Sequence, residues 1–277
     1  MVIDLRKTKM ELMETAKAMR RLCMEMSFVA GDEGAHVGPA LSIVDIMTVL
    51  YFDTMNYRPE DPQWERRDRF ILSKGHGVLG LYAPLVMAGL ISEQEAGTFN
   101  QADTRLAGHP SGKGVAGIEH PSGSLGHGLS VGCGIAFAGK ADGKDYDTYV
   151  LVGDGEMEEG SIWEAVMFAK KYKLGNLVAI VDVNGYQYGG ATCDLMDLSP
   201  MDEKWRAFGW NVVQADGNDV EALQKALDKA NRAADVPTCI IANTVKGYGL
   251  SFTHGNNDWH HVELSAADLE KSLNELK

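Results

Sequence analysis

The sequence is short of the features that would send it to a membrane, a secretory route or a nucleic acid. No uninterrupted apolar run approaches the roughly 20 residues that span a bilayer, and the charged stretch from Met1 to Arg21 lacks the apolar centre of a secretory signal. Four cysteines in 277 residues (Cys23, Cys133, Cys193 and Cys239) are scattered without CxxC spacing. That argues against a disulfide scaffold or a zinc site and for reduced thiols in a cytosol. Positive charge is also scarce: 26 Lys and Arg against 39 Asp and Glu leave a formal net charge of −13, a poor match for nucleic acid or an anionic membrane. There is no GxxxxGK[ST] phosphate loop, and Gly153, Gly155 and Gly160 do not make GxGxxG, so nucleotide, nicotinamide and flavin sites lose support. Repeats, low-complexity tracts and long linkers are missing too. The expectation is a cytoplasmic globular protein, residues 1–277 forming one domain with 1–35 as an N-terminal helical extension.

What is present suits a large core, with 45% apolar residues. Residues 4–30 are rich in helix formers, and Leu5, Leu12, Ala16, Met19 and Leu22 give a partly helical apolar period. A glycine-rich loop at 31–38 precedes a helix expected from Pro39, whose ring suits a first helical position. Short apolar runs at Arg69–Ser73, Tyr149–Gly153, Asn176–Asp182, Asn211–Gln214 and Cys239–Thr244 read as strands, and Glu158–Tyr172 and Asp219–Ala233 read as helices between them. Strand, helix, strand at this spacing predicts a doubly wound α/β domain, with a mostly parallel sheet covered on both faces. Ligands then belong at the carboxyl ends of the strands.

Two turns carry chemistry. Tyr149-Val150-Leu151-Val152 runs into Gly153-Asp154-Gly155, and the next strand ends in Asp182-Val183-Asn184-Gly185-Tyr186. Either turn alone also fits an ordinary strand end. If the strands are neighbours, Asp154 and Asn184, 30 positions apart, sit one strand spacing from each other. A hard, oxygen-seeking cation could bridge them, because Mg²⁺ commonly takes one or two side-chain oxygens and fills its shell with phosphate and water. The glycines flanking Asp154 let backbone N–H groups approach a phosphate.

At this point the chain resembles the transketolase family, and in particular its short N-terminal subunits. GDGEMEEGSIWEA, NLVAIVDVNGYQ, SKGHG, GHPSGKGVAGIEHPSGSLGHGLSVGCGIA and TVKGYGLSF follow that family in order over essentially the whole sequence. The resemblance implies thiamine diphosphate held through Mg²⁺ (or Ca²⁺ or Mn²⁺), with Asp154, Asn184 and the Tyr186 carbonyl as metal ligands. It assigns Gly155 and His76 to the diphosphate, Gly153 and Glu156 to cofactor binding, and Gly123, Ser124 and Leu125 to the cofactor's rings.

Histidines set among glycines, at 36, 76, 109 and 127, have room for a ligand beside them. Imidazoles can donate to sugar hydroxyl or carbonyl oxygens and shuttle protons near neutral pH. The resemblance places His36, His109 and His260 along the sugar channel as catalytic residues. His261 follows where the family shows glycine, which leaves open which of the pair faces the substrate. His127 stands where the family commonly has glutamine. The glycines at 123, 126, 128, 132 and 134 would weaken a plain helix by about 1 kcal/mol each at interior positions, so a neighbouring helix or a flat ligand is expected to approach closely there.

Full-length transketolases carry the glutamate that activates the cofactor on a second, pyrimidine-binding domain, and the chain ends at Lys277 without one. The expectation is therefore a separate C-terminal partner, in an α₂β₂ assembly, with sugar phosphates as substrates. The other readings are a different thiamine-diphosphate enzyme subunit, such as a 2-oxo-acid dehydrogenase α subunit or a deoxyxylulose-phosphate synthase, and a non-catalytic scaffold without cofactor.

Overall fold

The computed structural model describes residues 7–112, 114–230 and 235–277. The start of the helix expected over 4–30, with Leu5, and the end of that expected over Asp219–Ala233 lie outside the described residues.

The described residues form seven strands: β1 (Arg69–Leu72), β2 (Thr148–Gly153), β3 (Leu177–Val183), β4 (Tyr186–Gln187), β5 (Gly190–Ala191), β6 (Asn211–Asp216) and β7 (Thr238–Asn243). Five make one parallel sheet in the order β1-β2-β3-β7-β6. β4 and β5 form a small antiparallel hairpin just past the carboxyl end of β3. The doubly wound α/β expectation holds.

Because successive side chains of a strand point to opposite faces, each central strand feeds two cores. Tyr149 and Leu151 of β2 join Val178 and Ile180 of β3 in the larger core, beneath the N-terminal helices. Val150 and Val152 join Leu177, Ala179 and Val181 in the other, with Trp205 and Trp210. Strands buried on both faces are continuously apolar rather than alternating, as YVLV and LVAIV are. The helix Lys9–Val29 is capped by Thr8 and Glu11 in a reciprocal box and buries Leu12, Ala16, Met19 and Cys23 along one stripe.

One local expectation is corrected and a second is met and extended. The helix containing Pro39 is Val37–Ser42, so the proline is the third helical residue, where its missing N–H is still harmless because first-turn N–H groups lack helical partners. The glycine-rich helix Gly128–Ala141 meets the expected neighbouring helix, Gly160–Lys171, where Cys133 Sγ donates to the Ala165 carbonyl at 3.5 Å, and it also presses on a strand. A Cβ on Gly132 would fall 2.3 Å from Val150 Cγ2 of β2. Among the described residues no helix is long and apolar enough to cross a membrane.

Candidate active site

A cleft of about 250 Å³ opens at the carboxyl ends of the central strands. Lys74 follows β1, Asp154 follows β2, Asn184 follows β3 and Lys246 follows β7, and all four line it. β2 and β3 are direct neighbours, with Gly153 opposite Asp182, and the Asp154 N–H donates to the Asp182 carbonyl at 3.1 Å. One carboxylate oxygen of Asp154 accepts from Gly155 N at 3.0 Å and the other from Gly185 N at 2.8 Å. The side chain is thereby held between the two strand ends.

Asp182 organises the floor. Its Oδ2 accepts from Lys74 Nζ at 2.5 Å, Ser42 Oγ at 2.9 Å and Asn184 Nδ2 at 2.8 Å, and its Oδ1 accepts from Thr244 Oγ1. Burial alone would raise this carboxyl; the Lys74 charge and the hydrogen bonds outweigh it and hold it below the usual value. With its amide N–H₂ on Asp182, Asn184 accepts from Tyr186 N at 3.0 Å through Oδ1, leaving a further lone pair on that oxygen for a cation.

Glu156 is a second buried carboxylate. It accepts from Ser73 Oγ, from Gly126 N at 2.8 Å and from Gly153 N at 3.0 Å, and Ser73 Oγ in turn accepts from Gly128 N at 3.1 Å. One side chain thus ties the ends of β1 and β2 to the loop carrying Gly123 and Leu125. Its acid is raised by burial, against those hydrogen bonds.

Imidazoles form the opposite wall. His36 is central, with ring centroids 5.4 Å from His76, 5.4 Å from His109 and 5.5 Å from His260. His76 and His260 stack at 5.4 Å with a 20° interplanar angle. Burial and neighbouring positive charge push His36 and His260 down to about 3, and His76 and His109 down as well, so all four are neutral near pH 7. Lys246 Nζ lies 2.7 Å from His260 Nδ1 and donates to Asn257 Oδ1 at 2.6 Å. An ammonium donating to Nδ1 fixes the proton on Nε2 and turns His260 into a donor toward the cleft. Burial, then the Lys74 charge, lower Lys246 to about 8.

The chemistry of this floor fits a cation and a diphosphate. Asp154 is 5% exposed, and burial together with Asp182 raises it to about 6, the mark of a carboxylate whose charge is under-compensated. Among the described residues no three His, Cys, Asp or Glu side chains converge to hold a metal. A cation at Asp154 would therefore rely on an amide, a carbonyl, phosphate oxygens and water, as Mg²⁺ does. Lys246, 1% exposed at the cleft wall, offers the positive charge that a diphosphate needs.

Of the residues singled out from the sequence, His36, His76, His109, His260, Gly123, Leu125, Gly153, Asp154, Gly155, Glu156, Asn184 and Tyr186 all line this cleft. Ser124 does not. It faces a neighbouring groove with His120 and His127, because the chain bends at Ser124 and turns through Leu125 and Gly126. Of the two adjacent histidines, His260 lines the cleft, whereas His261 stands exposed outside it. Sequence reasoning misses Lys74, Asp182 and Lys246. A signal is there: Lys74-Gly75 and Lys246-Gly247 each follow an apolar strand, where a lysine either lines a site or finds a buried partner.

The family model described as "Transketolase, thiamine diphosphate binding domain" matches residues 12–276. A protein of Phocaeicola vulgatus, named as one of the subunits of an apulose-4-phosphate transketolase, is 42% identical over 95% of this chain and 92% of its own length. Another, from a Clostridium species and named as a 6-deoxy-6-sulfo-D-fructose transketolase subunit, is 38% identical over 97% of both. The solved transketolase of Leishmania mexicana superposes with a TM-score of 0.88 at 30% identity, covering 98% of this chain and 41% of that one. The sheet order, the two strand-end turns and these likenesses agree, and the chain belongs to the transketolase family through its thiamine diphosphate binding domain.

Proposed function

We propose that this chain is the N-terminal, diphosphate-binding subunit of a split transketolase. In this reading it moves a two-carbon ketol unit from a ketose phosphate or related sugar to an aldose acceptor in the cytoplasm. The observation that carries the reading is the placement of Asp154 and Asn184 at neighbouring strand ends, in one cleft with four neutral imidazoles. Asp154, the Asn184 amide oxygen and the Tyr186 carbonyl would hold Mg²⁺, or Ca²⁺ or Mn²⁺ in its place. The Gly155 amide, His76 and Lys246 would hold the diphosphate, and Gly123 and Leu125 would flank the rings. When bound, thiamine diphosphate supplies the electron sink that lets the C–C bond beside a ketone break. His36, His109 and His260, neutral and lined along the cleft, would donate hydrogen bonds to the ketose carbonyl and hydroxyls and carry protons to and from them.

The partner follows from what the cleft carboxylates are doing. Among the described residues that line it, the carboxylates are Asp154 and Glu156, and both are committed to backbone amides. An acid facing the aminopyrimidine then comes from a separate C-terminal subunit bearing the pyrimidine-binding domain, in an α₂β₂ complex.

The test is product analysis of the chain with and without that partner, in thiamine diphosphate and Mg²⁺. Ketol transfer between sugar phosphates by the complex alone is the expected result. Full-rate transfer by the isolated chain would refute the split site, and turnover of pyruvate but of no ketose would refute the transketolase reading.

A further inference from the structure

His261 is the one imidazole of the cluster that stands outside the cleft, yet its position is closely defined. Its ring lies 4.5 Å from that of His36 at 72°, nearer than any of the three cleft imidazoles around His36. Ala35 and Val262 exchange both backbone hydrogen bonds, at 2.9 and 3.0 Å, in an isolated antiparallel bridge. That bridge sets the segment 34–36 directly against the segment 260–262. Gly34 adopts φ of +64°, and a Cβ there would come within 2.7 Å of His261 Cε1. The seat of the His261 ring is therefore the space that a side chain at 34 would fill. The Gly34 carbonyl accepts from Asn100 Nδ2 at 3.2 Å, and Asn100 Oδ1 accepts from Gly108 N at 3.0 Å, which ties the loop of His109 to the same seat.

The consequence is that His36 is flanked on the cleft side by His76, His109 and His260 and on its outer side by the exposed His261. A ketose whose carbonyl faced the cleft imidazoles would have its further carbons nearest that exposed side. Building on the proposed transketolase reading, we infer that His261 is a specificity-determining residue: a rim imidazole that hydrogen-bonds hydroxyls on the polyol tail of the ketose donor. Its ring is exposed, rigidly seated and able to donate and accept, which suits a chain of neutral hydroxyls. It contributes nothing to the two-carbon head, which the cleft imidazoles hold.

That division makes the inference testable with donors that differ only beyond the transferred unit. The probes are D-xylulose 5-phosphate, D-fructose 6-phosphate and 6-deoxy-6-sulfo-D-fructose as tailed donors, and hydroxypyruvate as a donor that yields the same two-carbon unit with CO₂ as its other product. The acceptor is held constant and the assembled complex is used. His261→Gly is expected to lower kcat/KM at least tenfold on the best tailed donor, mainly through KM, and to change hydroxypyruvate less than twofold. His261→Gln, which keeps a donor and an acceptor, is expected to recover part of the loss. Thiamine diphosphate affinity, measured calorimetrically, stays within twofold of the parent. Equal losses on both donor types, or no loss on either, would overturn the inference while leaving the transketolase reading in place. If the parent complex uses none of the four donors, that reading falls and takes the inference with it.

Discussion

Lys74, just past β1, and Asp182, near the end of β3, are 108 residues apart in sequence and meet at 2.5 Å beneath the cleft, 1% and 0% exposed. The pair does two jobs: it neutralises a carboxylate under the sheet's carboxyl edge, and through that carboxylate it sets which way the Asn184 amide faces. Breaking a buried pair strands a charge, which costs more than the pair itself contributes. Asp182→Ala is expected to lose about 3–5 kcal/mol of stability in urea unfolding. The double variant Lys74→Met with Asp182→Leu should recover much of that loss, yet still bind no thiamine diphosphate. A double variant as unstable as the single one would mean that packing, not charge, governs this floor.

Glu156 acts through the loops it ties rather than through direct chemistry. Glu156→Gln keeps the volume but replaces one accepting oxygen with an N–H₂ group, which cannot accept from Gly126 N or Gly153 N. The expected outcome is a folded protein with an unchanged far-ultraviolet spectrum and a thiamine diphosphate Kd raised about tenfold, equivalent to about one lost hydrogen bond to a charged group. Unaltered cofactor affinity would show that the Gly123–Leu125 loop holds its place without the clamp.

The histidine cluster sets the response to acid. His36 and His260, at about 3, and His76 and His109, also lowered, stay neutral in the fold while their unfolded counterparts take protons below about pH 6.5. The stability they contribute is complete above that pH and declines as pH falls toward their folded values. Asp154, raised to about 6, works the other way. Between pH 6 and its unfolded value the fold takes the extra proton, offsetting one histidine. Glu156 and Asp45, raised by burial as well, act in the same sense as Asp154, so the histidine contribution is read by substitution. Urea unfolding of the cofactor-free chain from pH 5 to 6 should show stability rising more steeply with pH in the parent than in His76→Asn, by about one proton. Equal slopes would mean that the His76 imidazole is solvated.

The parts legible in the sequence are those written in consecutive residues. Val150-Leu151-Val152 running into Gly153-Asp154-Gly155 gives a strand, its end and a ligand side chain in one phrase, and Leu177 to Gly185 repeats it. The parts not legible depend on chain returning from afar. Nothing near Lys246 announces His260, and nothing near Lys74 announces Asp182. Helix Val78–Met87 leaves no period to read because it is buried almost all round. The motif puts Ser124 beside the cofactor with its neighbours, but the bend at that residue sets it on a neighbouring groove. The choice between His260 and His261 rests on a two-bond bridge from Ala35 to Val262, a contact that no local pattern encodes.

The glycines of helix Gly128–Ala141 look equivalent in sequence but make opposite demands. At Gly132 a methyl group would press within 2.3 Å of Val150 Cγ2, whereas at Gly134 it would meet nothing within 4 Å. Alanine is intrinsically better than glycine in a helix by about 1 kcal/mol, so at both positions the backbone favours the substitution. At Gly132 overpacking against β2, typically about 1–3 kcal/mol, outweighs that gain. At Gly134 nothing opposes it. Gly132→Ala is therefore expected to lower the stability of the chain by up to about 2 kcal/mol once the helix gain is subtracted, and Gly134→Ala to raise it by up to about 1 kcal/mol. Thermal and urea unfolding of the two variants side by side would check this. Shifts of the same sign would show that the helix does not lean on β2 through Gly132, and the close approach that places the Gly123–Leu125 loop over the cleft would need another cause.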